Sequence, residues 1–178
     1  MKTINYLSVL VLFLTLCSSC KKDKLEYKTD FEKSSAAWKT FKAKSGNSYV
    51  YQVSTSSWTN YQTFTTITVT DGKVTHRAYT ARSTNQAPSA SVTIHEEWEE
   101  DQQTLNSHES GAKSQTLDEI YEQARTVWLK KRGDADTYFK AENDGLISSC
   151  GFVPHGCQDD CFTGIHIEFI RTLTAEAF

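Results

Sequence analysis

The sequence predicts an α+β fold in which a mainly antiparallel sheet of five to seven strands carries two helices on one face. Three observations lead there. Stretches around Trp38 and Tyr121 repeat apolar residues at helical spacing, whereas Tyr49, Tyr51 and Val53, then Ile67 and Val69, alternate with a period of two. Asp71-Gly72 and Asn143-Asp144-Gly145 each lie between strand-like runs, and such residues favour the left-handed backbone of a tight hairpin. The chain has 178 residues, 38% of them hydrophobic and 12% aromatic, which suffices for one packed core. At roughly 100–200 residues per domain, that length predicts a single domain.

Each element has its own signal. Asp30 is the expected N-cap of the first helix, with Phe31, Ser34, Ser35, Trp38 and Phe41 on one face and Ser45-Gly46-Asn47-Ser48 as its stop. Strands follow from Tyr49, through Ile67 and Val69, and from Val74 to Ala81, with a loop from Ser83 to Ser91. Val92, Ile94 and Trp98 are expected on one face of a fourth strand, which ends in the acidic run Glu96 to Asp101. Asp101 to Ser114 has almost no apolar content and predicts a mobile loop. Thr116 and Glu119 form a capping box. Behind it, Leu117, Ile120, Tyr121, Ala124, Val127 and Trp128 predict a three-turn amphipathic helix ending at Gly133, with Lys130, Lys131 and Arg132 complementing its dipole. Thr137–Ala141, Leu146–Cys150 and Ile165–Leu173 complete the sheet, with Ile165, Ile167 and Phe169 expected inward and His166 and Glu168 outward.

The N-terminus predicts export. Lys2 precedes the apolar run Leu7–Leu16, which is too short for a membrane-spanning helix of about 20 residues and reads as a signal peptide. Cys17-Ser18-Ser19-Cys20 then resembles a bacterial lipobox, which implies cleavage before Cys20 and acylation of that residue. The expected layout is a signal at 1–19, a polar tether at 20–29 and a single domain at 30–178. By the same resemblance, Lys21 after the lipidated cysteine implies an outer-membrane lipoprotein facing the periplasm or the cell surface; simple secretion is the alternative. With 19 Lys and Arg against 22 Asp and Glu, the chain has no basic stripe of the kind a nucleic-acid binder carries.

A wider resemblance rests on the helix bearing Trp38, then YVYQV, ITVTDGKV and TLDEIYEQA. Over residues 36–167 the chain resembles a domain of unknown function found in small bacterial lipoproteins. The resemblance implies the α+β fold and the lipid anchor on Cys20, and it carries over no catalytic residue. That family closes with a tyrosine- and proline-bearing hairpin, where this chain has cysteines between Phe139 and Cys161.

Ser148 to Glu168 holds most of the reactive side chains: Cys150, Cys157, Cys161, His155, His166, Asp159 and Asp160. In an oxidising compartment one loop-closing disulfide is expected, Cys150 pairing with Cys157 or Cys161. Pairing of Cys157 with Cys161 is the least favoured, because so short a separation closes only over a tight turn. A free Cys20 would instead allow two bridges. One alternative is a zinc site drawn from His155, Cys157, Cys161 and His166. Another is a thiol enzyme or redox protein, with Cys161 activated by His166 and oriented by Glu168. Asp159 and Asp160 lack the spacing of a calcium loop and read as an acidic turn. No phosphate loop, serine-centred elbow or paired zinc-histidine helix motif is present in the sequence. His76 and His95 stand alone on strands, and the acidic run reads as an edge that resists strand aggregation. The favoured function is a non-catalytic binding or structural module, without cofactor or bound metal, taking a protein or small-molecule ligand. Its expected ligand surface is an exposed polar sheet face around Tyr49, Tyr51, Trp58 and Tyr61.

Overall fold

The computed structural model describes residues 24–85, 91–159 and 161–173. The signal, Cys17 and Cys20 lie outside them, as does Asp160. The chain is already part of the domain at Lys24, earlier than the expected tether allows. Its carbonyl accepts from the Lys131 N–H, and Leu25 bridges Lys130.

Helix α1 spans Lys28–Lys44, and β1 (Tyr49–Ser56), β2 (Tyr61–Thr70), β3 (Lys73–Asn85) and β4 (Ser91–Glu100) follow as a meander. Helix α2 (Leu117–Gln123) runs on as one π-helical turn, Ala124–Trp128. A second meander comprises β5 (Ala135–Lys140), β6 (Ser149–Pro154) and β7 (Thr163–Thr172). All seven strands form one antiparallel sheet in the order β4-β3-β2-β1-β7-β6-β5. The α+β architecture is as the sequence predicts. The sheet closes by pairing the first strand with the last, Tyr49↔Thr172 through Val53↔Ile167.

Both helices lie over one face, where Phe31, Trp38, Tyr49, Tyr51, Ile67, Leu117, Ile120 and Tyr121 form a single buried cluster. The cluster is strongly aromatic, and the polar tips of Trp38, Tyr49, Tyr51 and Tyr121 are each hydrogen-bonded. Trp38 packs edge-on against Tyr49 at 5.3 Å and donates from its indole to Asp118 at 2.9 Å. Ser34 shares a hydrogen bond with the Tyr121 hydroxyl at 2.8 Å, which also accepts from the Ile147 N–H. Tyr49 accepts the otherwise orphaned N–H of Leu117, and Tyr51 donates to the Gln115 carbonyl. These two tyrosines therefore hold the start of α2 to the sheet. They are fully buried, not on an exposed sheet face as the composition suggests.

Three bulges decide which side chains face inward. One extra residue in a strand reverses the alternation beyond it. At His95 this turns Val92 (57% exposed) and Ile94 (51%) to the face opposite Trp98, so the three do not share a face. At Glu168 it places Phe169 opposite Gln52, outward, and Ile170 inward in its stead. The loop expected from Ser83 is strand as far as Asn85.

The helix starts also differ in detail. Tyr27, with φ of 52°, caps α1, and Asp30 sits inside the first turn. The Thr116–Glu119 capping box forms as expected. Beyond Gln123, however, the Leu129 N–H donates to the Ala124 carbonyl five residues back. This wider turn buries Trp128 and Leu129 while exposing Val127, which periodicity places inward. Arg132 donates to the Val127 carbonyl at the helix end, before Gly133 is reached.

The polar segment after β4 is pinned, contrary to the expectation of mobility. Glu100 is fully buried and accepts both Nε and Nη2 of Arg77 at 2.9 Å, together with the N–H groups of Asn106 and His108. Arg77 in turn donates to the carbonyls of Ala112 and His108. Trp98 lies under the Arg77 guanidinium and stacks against His108 and Tyr79. Hydrogen bonding to Arg77 is the main cause that holds the Glu100 carboxyl well below the usual carboxylate range.

Glu100→Gln leaves a buried guanidinium without its counter-charge and is expected to cost about 3–5 kcal/mol in urea unfolding. Replacing both partners by Leu and Met removes the unpaired charge but leaves the N–H groups of Asn106 and His108 and the carbonyls of Ala112 and His108 without partners, so it does not restore the wild-type stability. Because the folded-state pKa of Glu100 lies below its ordinary 4.5, its stabilisation is complete above that value and fades as the pH falls below it. Urea midpoints measured between pH 7 and pH 3 should show that decline in the wild type and not in the double variant.

Candidate functional site

The three cysteines among the described residues, Cys150, Cys157 and Cys161, fall into two environments. Cys150 is in register between Phe139 and Ile165, on the inward face of β6, and is fully buried. Burial pushes its thiol up to about 12, which disfavours the thiolate at neutral pH. Cys157 and Cys161 pair with each other, which overturns the expected pairing with Cys150. The reason is local. Gly156 at φ 78° turns the chain, Cys157 N–H returns to the Pro154 carbonyl, and Cys161 N–H returns to that of Asp159. The two Cα atoms thereby come to 6.3 Å, within disulfide range, while Cys150 faces the core. Closing so small a loop contributes roughly 2 kcal/mol.

The alternative zinc ligands are not gathered. Cys157 and Cys161 are spent in the disulfide, His155 is 3.2 Å from Asp136, and His166 stacks on Phe162 at 4.4 Å. Among the described residues, no three His, Cys, Asp or Glu side chains meet as a metal-binding group. Cys161, being oxidised, is not the free thiol that a His166-activated nucleophile requires.

Phe162, immediately after the disulfide, forms part of one wall of a groove. The β1–β7 ladder stops at Val53↔Ile167, next to the Glu168 bulge, although both strands continue. Where they part, a groove of about 850 Å³ opens, lined by Ser54 and Ser56 of β1, Tyr138 and Lys140 of β5, Ser149 of β6, and Phe162, His166 and Glu168 at β7. Such a volume is typical of ligand sites. Phe162, next to the disulfide, lies over Gly151, where any Cβ would meet the ring at 2.5 Å. Gly164 faces Gly151 across the ladder, and its own Cβ would meet the Cys150 carbonyl at 2.2 Å. Two glycines thus let β6 and β7 approach closely and leave the Phe162–His166 pair on the groove wall.

The polar groups of the groove are partly committed. Ser54 donates to Glu168 at 2.5 Å, and Lys140 lies 3.5 Å from Glu142. Desolvation lowers the His166 pKa against the opposing pull of Glu168, so the ring is neutral at pH 7. Through the same gap, on the helix-bearing face, a second groove of about 590 Å³ is lined by Val53, Thr55, Tyr79, Trp128 and Ile165. The π-helical turn is what delivers Trp128 there. Of the other predicted ligand-surface residues, Trp58 stands 82% exposed in the β1–β2 turn, and Tyr61 is partly exposed beside His95. The sequence signal for the groove is slight: the Gly151, Pro154-His155-Gly156 and Gly164 punctuation around the cysteines.

Compared with known proteins, the chain matches no family model, no curated protein and no solved structure.

Peptide mapping after treatment with iodoacetamide should find Cys150 unmodified in the folded protein and alkylated after unfolding without reductant, while Cys157 and Cys161 react only after reduction. Gly164→Ala should lower stability by at least about 1–3 kcal/mol through overpacking, measured by thermal or urea unfolding.

Proposed function

We propose that this chain is an exported, lipid-anchored cell-envelope protein that acts as a non-catalytic binding module through the groove at the β1–β7 split. The groove carries the reading: it combines an aromatic wall, Phe162 on His166 with Tyr138 nearby, and hydroxyl groups from Ser54, Ser56 and Ser149. Its charged side chains, Lys140 against Glu142 and Glu168, nearly cancel, which suits an uncharged or mixed ligand better than a polyanion. Anchoring rests on the lipobox resemblance, with Cys20 as the acylated residue. No helix among the described residues is long and apolar enough to cross a membrane, so membrane attachment in this reading comes from the lipid.

Labelled palmitate is expected to incorporate into the wild-type protein, and Cys20→Ala is expected to abolish labelling and release the protein from the membrane fraction. Membrane attachment that survives Cys20→Ala would contradict the anchor. For the groove, a fragment screen read by amide chemical shifts should concentrate its changes on Tyr138, Ser149 and His166. Hits confined to other surfaces would contradict the binding site.

A further inference from the structure

The two grooves open on opposite faces of one gap, and the main chain on both sides of that gap is left over. The Ser57 N–H donates to the Tyr61 carbonyl, so along β1 the main chain of Ser56 points away from β2 and into the gap. The Ile167 N–H donates to the carbonyl of Ser148, just before β6, so by the same alternation the main chain of Gly164 points towards β1. Both residues lie past Val53↔Ile167, the last pair of the ladder. Gly164 also brings no side chain into the space.

We infer that the gap takes a short extended peptide segment, which prolongs the β1–β7 ladder by main-chain hydrogen bonds to Ser56 and Gly164. This rests on the reading of the groove as a binding site and names its ligand. An extended peptide is the one chemistry that presents donors and acceptors at strand spacing to a strand edge and sends alternate side chains to opposite faces. Here each face has a place for one. The helix-side groove offers Val53, Tyr79, Trp128 and Ile165 to an aliphatic or aromatic side chain. The opposite groove offers Ser54, Glu168 and the Phe162–His166 pair to a polar one. A saccharide would occupy one groove and leave the strand edges unused.

The test is selection of a phage-displayed random octapeptide library on the purified full-length protein, followed by titration of the selected peptide as a synthetic product. Selected sequences should alternate apolar and polar residues over a few positions. Methylating single main-chain nitrogens of that stretch should weaken binding at least tenfold at alternate positions only. Ser56→Pro, which removes a gap-facing N–H that β2 does not use, should weaken binding at least tenfold with an unchanged unfolding midpoint. Thr55→Phe, which fills the helix-side groove, provides a second block should the proline variant fail to fold. Peptides that bind but ignore both main-chain methylation and these variants would overturn the inference, as would the absence of any enriched peptide. An oligosaccharide array that yields a ligand dependent on Tyr138 and His166 would overturn the peptide and leave the binding module standing.

Discussion

The antiparallel pairing of β1 with β7 holds the two halves of this protein together. Each half is a meander of local hairpins, fixed by tight turns such as Asp71-Gly72 and Asp144-Gly145, whose φ values are all positive. Neither half closes a core alone. The helices pack across the junction, with Tyr49 and Tyr51 of β1 bonded to the start of α2, and Ile165 and Ile167 of β7 buried in the same cluster. Joining residues some 120 positions apart carries a loop-closure cost, which the aromatic cluster over the junction offsets. The same junction produces the groove. An extra residue at Glu168 increases the local twist, and beyond it the strands separate.

At the far edge the problem is different. Tyr79, Ala81 and Trp98 of β3 and β4 form a cluster separate from the one under the helices, and the polar loop packs on it through Gly111. A loop can do this only if its main-chain groups find partners, and Glu100 and Arg77 supply them while neutralising each other. The pair is thus less a source of raw stability than a means of fixing one conformation on an otherwise unspecified segment.

Local rules made much of this legible in the sequence. The Thr116–Glu119 box, both hairpin turns and the alternation of Tyr49, Tyr51 and Val53 are each encoded within a few residues, and each appears as expected. Where the sheet and its edge depart from these local patterns, the deciding partner is remote. Nothing near His95 or Glu168 announces an extra residue, so alternation alone puts Val92, Ile94 and Phe169 on the wrong face. Arg77 and Glu100 resemble surface charges until Trp98 and the loop bury them. The cysteine pairing turned on the face that Cys150 occupies, which depends on the β5–β6–β7 register. The groove was the least legible feature, being a place where pairing stops.

Amide hydrogen exchange tests that geometry most directly. Amides bonded across the sheet at this junction, those of Tyr49 to Val53 on β1 and of Ile167, Phe169 and Arg171 on β7, should be protected to near the global stability, while Ser56 and Gly164 exchange orders of magnitude faster. Protection of Ser56 and Gly164 equal to that of the ladder would mean a closed sheet with no gap, and would contradict both the site and the account of how the bulge creates it.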